Sequence, residues 1–191
     1  MTIRFAGAVL TGGASRRMGT DKALVPVGGV AMAERVVRTL AAAGATEVTC
    51  IGGDRLALDG LGLSVIEDEW PGEGPLGGLV TALGWSGEPA IVVAGCDQPW
   101  LDLGTIELLV EAHGAGDAAV TVYRVDDRPQ PLPGVYAAHF CSPLADALAG
   151  GERSLMAALR LAGPTIVDPI DPATLRDVDR PEDLPSETLA P

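Results

Sequence analysis

Short apolar runs alternate along this chain with longer stretches that are amphipathic or rich in Ala and Leu. The runs at 5–10, 47–51, 63–67, 90–94, 118–123 and 134–138 read as strands, with short ones around Thr165 and Leu175; the run at 90–94 is the most apolar. Helices are predicted over 31–43, closed by the Gly44 turn, and over 76–85, 142–148 and 155–161. Another starts at an Asp102 cap and ends near His113. Strand and helix alternating in this way predict an α/β fold with a mainly parallel sheet.

No internal repeat or change of composition divides the chain, so one domain is expected over 1–184, followed by a fraying tail rich in Pro, Glu and Ser at 185–191. With 47% hydrophobic and 20% charged residues the balance is that of a globular protein. The formal net charge of −13 changes the picture. It repels nucleic acids and anionic lipid surfaces, yet leaves room for a nucleotide where a few cations and backbone N–H groups converge. Cys50, Cys96 and Cys141 are odd in number, widely spaced and without a Cys-x-x-Cys pair, which points to a reducing compartment. With no signal-like h-region and no apolar run of membrane-spanning length, a cytoplasmic location is expected.

The segment Leu10-Thr11-Gly12-Gly13-Ala14-Ser15-Arg16-Arg17-Met18-Gly19-Thr20-Asp21-Lys22 follows a strand and is both glycine-rich and cationic. Glycines let a backbone present N–H groups to phosphate, and Arg and Lys add full charges. It is neither a Walker loop, because Gly19 is followed by Thr20-Asp21-Lys22, nor a dinucleotide fingerprint, because its glycines fall at 12, 13 and 19. From composition alone it is equally a solvated surface loop. Asp97, in Cys96-Asp97-Gln98-Pro99, follows the most apolar strand, at the carboxyl edge where open α/β sheets bind ligands. A carboxylate there can hold Mg²⁺ between phosphate oxygens. In Asp177-Val178-Asp179, residues two apart share a face if the segment is extended, so one aspartate can join Asp97; an exposed acidic turn is the rival reading.

The thirteen-residue string resembles the signature of the molybdenum cofactor guanylyltransferase family and its molybdopterin cytidylyltransferase relatives, roughly Leu-Ala-Gly-Gly-x-Ser-x-Arg-Met-Gly-x-Asp-Lys, and departs from it at Thr11. The likeness continues through Ile66-Glu67-Asp68, Gly74-Pro75-Leu76-Gly77-Gly78, Cys96-Asp97, Gly151-Glu152-Arg153 and Asp177-Val178-Asp179-Arg180-Pro181-Glu182, where aspartates replace the family's two asparagines. The resemblance implies a three-layer, Rossmann-like nucleotidyltransferase fold whose central sheet is flanked by helices. It implies nucleotide contacts at Leu10, Thr11, Gly12, Gly13, Lys22, Gly52, Asp68 and Asp97, and phosphate stabilisation by Arg17 and Lys22. Mg²⁺ would sit on Asp97, with Asp179 as a second ligand, and Arg153 would reach the acceptor.

The implied reaction moves GMP from GTP to the molybdopterin cofactor and releases pyrophosphate. CTP is the alternative, since Asp97-Gln98-Pro99 and Asp177-Val178-Asp179 resemble the cytidylyl branch and Gly52 stands where guanylyl enzymes often carry Asn. A sugar-phosphate acceptor is another alternative, and a non-catalytic nucleotide-binding adaptor is the reading from a different class. Apo-molybdoenzymes or other cofactor-biosynthesis proteins are the implied partners. His113, His139, Trp70, Trp85 and Trp100 are read as packing residues.

Overall fold

A computed structural model describes residues 3–12 and 21–184. Its centre is a seven-stranded sheet built from β1 (Phe5–Leu10), β4 (Val48–Ile51), β5 (Val65–Ile66), β6 (Ala90–Gly95), β7 (Val120–Val125), β8 (Arg128–Ala137) and β9 (Thr165–Val167), in the order β5-β4-β1-β6-β8-β7-β9. The pairs β5–β4, β4–β1, β1–β6 and β7–β9 are parallel; β8 runs antiparallel to both β6 and β7. A two-stranded ribbon of β2 (Pro26–Val27) and β3 (Val30–Ala31) stands apart. The helices are α1 (Met32–Ala42), α2 (Arg55–Gly60), α3 (Gly74–Trp85), α4 (Leu103–Gly114), α5 (Cys141–Ala149) and α6 (Leu155–Ala162).

Strand periodicity explains the three layers. Alternate side chains of a strand point to opposite faces, and the central strands are covered on both. In β6, Ala90, Val92 and Ala94 join one core with Val36 and Leu40 of α1 and Ile106 and Leu109 of α4. Ile91 and Val93 face the other, with Leu76 and Leu79 of α3, Leu144 of α5 and Leu159 of α6. The helices match these surroundings. α1 buries Met32, Ala33, Val36 and Leu40 along one stripe, whereas α3, packed among sheet, α5 and α6, buries every residue from Leu76 to Leu83.

The local signals behave as their chemistry requires. Asp102 caps α4 by accepting from the Thr105 N–H at 2.8 Å, and Gly44 turns the chain after α1 with φ of 92°. Four features differ from expectation, the first being the β2–β3 ribbon, where no strand was expected. Helix α2 is added, β8 begins six residues before 134, at Arg128, and the region around Leu175 is a 3₁₀ turn (Pro172–Leu175) capped by Asp171 instead of a strand. Among the described residues no helix is long and apolar enough to cross a membrane.

Candidate active site

Parallel strands β5, β4, β1 and β6 deliver their carboxyl ends to one edge of the sheet, and the site is assembled there. The loop after β1 is laced to β4. The N–H groups of Thr11 and Gly12 both donate to the Ile51 carbonyl, at 3.1 and 3.0 Å. The buried Thr11 hydroxyl lies 3.0 Å from that carbonyl and 2.8 Å from the carbonyl of Gly52, and donates to them. Gly52 in turn donates to Ile66 of β5 at 2.9 Å.

Gly52 and Gly53 have φ of 70° and 82°, and a Cβ on Gly53 would come within 3.1 Å of the Thr11 Oγ1. Both glycines line the neighbouring cleft, about 810 Å³ in volume, with Gly12, Glu67, Asp68 and Pro75 among others. Asp68 is fixed at its rim: one carboxylate oxygen accepts from the Thr81 hydroxyl at 3.0 Å and from the Trp70 N–H at 2.9 Å. Leu10 sends its side chain into the α3 side of the core, while its carbonyl accepts from Cys96 at 3.2 Å and ties β1 to the next turn.

That turn carries Asp97. The Val178 N–H donates to the Asp97 carbonyl at 2.8 Å, and Val178 is buried, so its neighbours Asp177 and Asp179 are held beside the turn. Lys22 starts a 3₁₀ turn (Lys22–Leu24) capped by Asp21. Its Nζ lies 2.6 Å from an Asp179 carboxylate oxygen and 3.8 Å from Asp97 Oδ2. Lys22, Asp97 and Asp179 are thus brought together from positions 157 residues apart at the extremes. Asp177 joins Asp97, Gln98, Gln130, Leu132 and Leu155 around a second, smaller pocket of about 180 Å³.

Electrostatics reflect this crowding. Burial alone would lower the Lys22 ammonium, but its hydrogen bond to Asp179 and the charges of Asp97 and Asp179 outweigh it and hold the group above the usual lysine value. Burial pushes the Asp97 carboxyl up, opposed by Lys22. Asp177 keeps a solvent-exposed face, yet the protein packed beneath it withdraws enough water to raise its carboxyl to about 6, with the Asp97 charge adding to the effect.

Several sequence expectations fare differently. Arg17 and Gly13 lie outside the described residues. The Arg153 guanidinium donates to the carbonyls of Leu148 and Glu152, both at 2.8 Å, and pairs with Glu73, while its own carbonyl accepts from Leu76 in the first turn of α3. These contacts pin the α5–α6 turn to α3. His113 is buried against the Thr121 hydroxyl at 3.0 Å, and Trp70 and Trp85 pack against the α3-side core. Trp100 lies under Arg35, 5.9 Å from its ring centroid. The cysteines are free, and burial pushes the Cys50 thiol up to about 12. Gln98, only 3% exposed and hydrogen-bonded across the site, was not singled out by sequence reasoning.

The chain is similar in sequence and fold to known proteins. Residues 7–163 match the MobA-like NTP transferase domain. The chain is 32% identical over 186 residues to a molybdenum cofactor guanylyltransferase of Cereibacter sphaeroides, covering 95% of this chain and 94% of that one. It is 34% identical over 191 residues to a probable molybdenum cofactor guanylyltransferase of Natronomonas pharaonis, covering 93% and 94%. In fold it is similar to the molybdopterin-guanine dinucleotide biosynthesis protein A of Archaeoglobus fulgidus, with a TM-score of 0.78 at 23% identity over 93% of this chain and 94% of that one. A cytidylyltransferase of Thermus thermophilus, acting on 2-C-methyl-D-erythritol 4-phosphate by its description, superposes with a TM-score of 0.69 at 17% identity over 92% and 93%. With the domain match spanning most of its length and full-length relatives above 30% identity, the chain belongs to the MobA-like NTP transferase family and is a nucleotidyltransferase.

Proposed function

We propose that the protein transfers GMP from GTP to a terminal phosphate of the molybdopterin cofactor, releases pyrophosphate and depends on Mg²⁺. The observation that carries this reading is the placement of Lys22 and Asp97 between two pockets. In the sheet order the larger cleft lies at the ends of β5, β4 and β1, the smaller pocket at β6 and β8, and the Asp97 turn lies where β1 and β6 meet. The large cleft suits the nucleoside, the small pocket the acceptor. The names of the relatives supply guanine and the molybdenum cofactor.

In this reaction an acceptor phosphate oxygen forms a bond to the α-phosphorus, and the bond from that phosphorus to the α–β bridging oxygen breaks. The electron pair leaves with pyrophosphate. The nucleophile is already an anion, so the protein's task is to position it and stabilise charge. The Lys22 ammonium neutralises phosphate oxygens, Arg17 assists, and the glycines after β1 and β4 admit the base.

The donor chemistry fits a divalent metal. Asp97 and Asp179 flank one lysine with Asp177 nearby, three acidic groups to one cation, and burial is the main cause that raises the Asp97 and Asp177 carboxyls. Among the described residues no three acidic, His or Cys side chains form a ready-made metal cage. Mg²⁺ characteristically takes one or two carboxylates and completes its shell with phosphates and water. Asp97 would hold it, with Asp179 second, and the ion would supply Lewis-acid stabilisation of phosphate charge.

The test is pyrophosphate release from GTP and from CTP with Mg²⁺ and molybdopterin, in the wild type and in Asp97→Ala. Turnover with GTP that falls about 10²-fold or more in the variant is expected. A preference for CTP would reassign the base. Turnover only with a sugar phosphate would reassign the acceptor, and tight nucleotide binding without turnover on any acceptor would point to the adaptor reading.

A further inference from the structure

We infer that Gln98 is a positioning residue that fixes the acceptor-side wall of the site against the Asp97 turn, and that this inference, resting on the proposed reaction, assigns it to acceptor binding and not to nucleotide binding. The sheet itself cannot make this link. The pairing of β6 with β8 ends at Val93 and Gly134, and beyond it β8 carries Pro131 and Pro133, which have no N–H to offer. The Leu132 carbonyl lies past the end of that ladder. It accepts instead from the Gln98 amide, at 3.0 Å.

The other end of the same amide faces the opposite way. Gln98 Oε1 accepts from the Gly95 N–H at 3.1 Å, closing the turn that presents Asp97. The end of β6 and the start of β8 therefore meet on one side chain. The segment holding Asp177 and Asp179 reaches the same turn through the Val178 N–H on the Asp97 carbonyl. Leu132, Asp177, Asp97 and Gln98 all line the small pocket. None of the four lines the larger cleft bounded by Gly12, Gly52 and Asp68.

A primary amide meets these demands because it combines an acceptor with a donor. Glutamate in its ionised form would accept from Gly95 but could not donate to Leu132. Methionine would fill the space and do neither. At 3% exposure water cannot easily replace the lost partners.

The experiment uses Gln98→Met and, as the milder change, Gln98→Glu in the full chain. It measures Kd for Mg²⁺–GTP without acceptor, then kcat and KM for molybdopterin at saturating GTP. The expected result is nucleotide Kd within about threefold of wild type, with KM for the acceptor raised roughly tenfold or more, the scale of a lost buried hydrogen bond. A residue that merely supports folding would reduce the active fraction and kcat while leaving KM unchanged. That pattern, or a parallel loss of nucleotide affinity, would overturn the inference.

Amide hydrogen exchange separates this inference from the proposed reaction. Faster exchange in Gln98→Met at Gly95 and within 128–134 and 176–179, with 48–53 unchanged, supports the positioning role even if the wild type turns over no molybdopterin. Unchanged exchange in those segments, or a uniform rise across the chain, would sink it. Wild-type silence with every acceptor would count against the proposed reaction alone.

Discussion

At the scale of single residues, the larger cleft is bordered by residues without side chains. Thr11 occupies the place where relatives in the resembling signature carry Ala, and its hydroxyl welds the loops after β1 and β4. That weld is compatible only with a small neighbour, because a methyl on Gly53 meets Thr11 and φ of 82° disfavours any L side chain. Gly53→Ala is expected to lower stability by about 1–2 kcal/mol through the strained φ alone. Thr11→Val, which deletes the hydroxyl at nearly constant volume, is expected to cost about 1 kcal/mol. Denaturant unfolding checks both, and unchanged midpoints would show that the loops are not joined in this way. Lys22 and Asp97 were legible in the sequence because motif residues at strand ends carry their own chemistry. Gln98 was not, since its role depends on Leu132, 34 positions away.

At the scale of elements, burial decided what could be read. β1 and β6 are buried on both faces, and such strands appear as continuous apolar runs. Helix α2 spans six residues, buries only Leu58 and has too few turns to show a helical period. The start of β8, Arg128-Pro129-Gln130-Pro131, has the composition of a loop. It belongs to a strand because its partner β7 supplies pairing through Gln130, Pro129 and Arg128. The pairing of α4 with β7 brings a titratable group into the core. Burial, reinforced by the charge of His139, holds His113 below the usual histidine value, beside Thr121. Its neutral form is the one the fold accepts, so the unfolded chain takes up a proton first as pH falls. The stabilisation is fully present above the unfolded value of about 6.5 and declines as pH drops below it. Denaturation of wild type and His113→Gln between pH 8 and pH 5 should show the stability difference shifting against the wild type on the acid side. A difference independent of pH would contradict the assignment.

At the scale of the whole molecule, a strongly acidic protein gathers cationic and acidic groups at one edge of its sheet. The net charge of −13 disfavours polyanions in general, while the edge of the parallel sheet brings Lys22 together with Asp97 and Asp179. The sheet order sets the division of the proposed site, with the larger cleft toward β5 and the small pocket toward β8 on either side of Asp97. That division was readable only in outline, because the antiparallel insertion of β8 between β6 and β7 is a non-local event that no run of residues announces. The most direct test of the account follows the phosphate itself. GTP labelled at the α-phosphate, or separately at the γ-phosphate, is incubated with Mg²⁺, molybdopterin and the protein, and the pterin product is isolated. The account predicts α-label in that product and γ-label wholly in pyrophosphate; γ-label on the pterin, or no label from either nucleotide despite bound GTP, would contradict it.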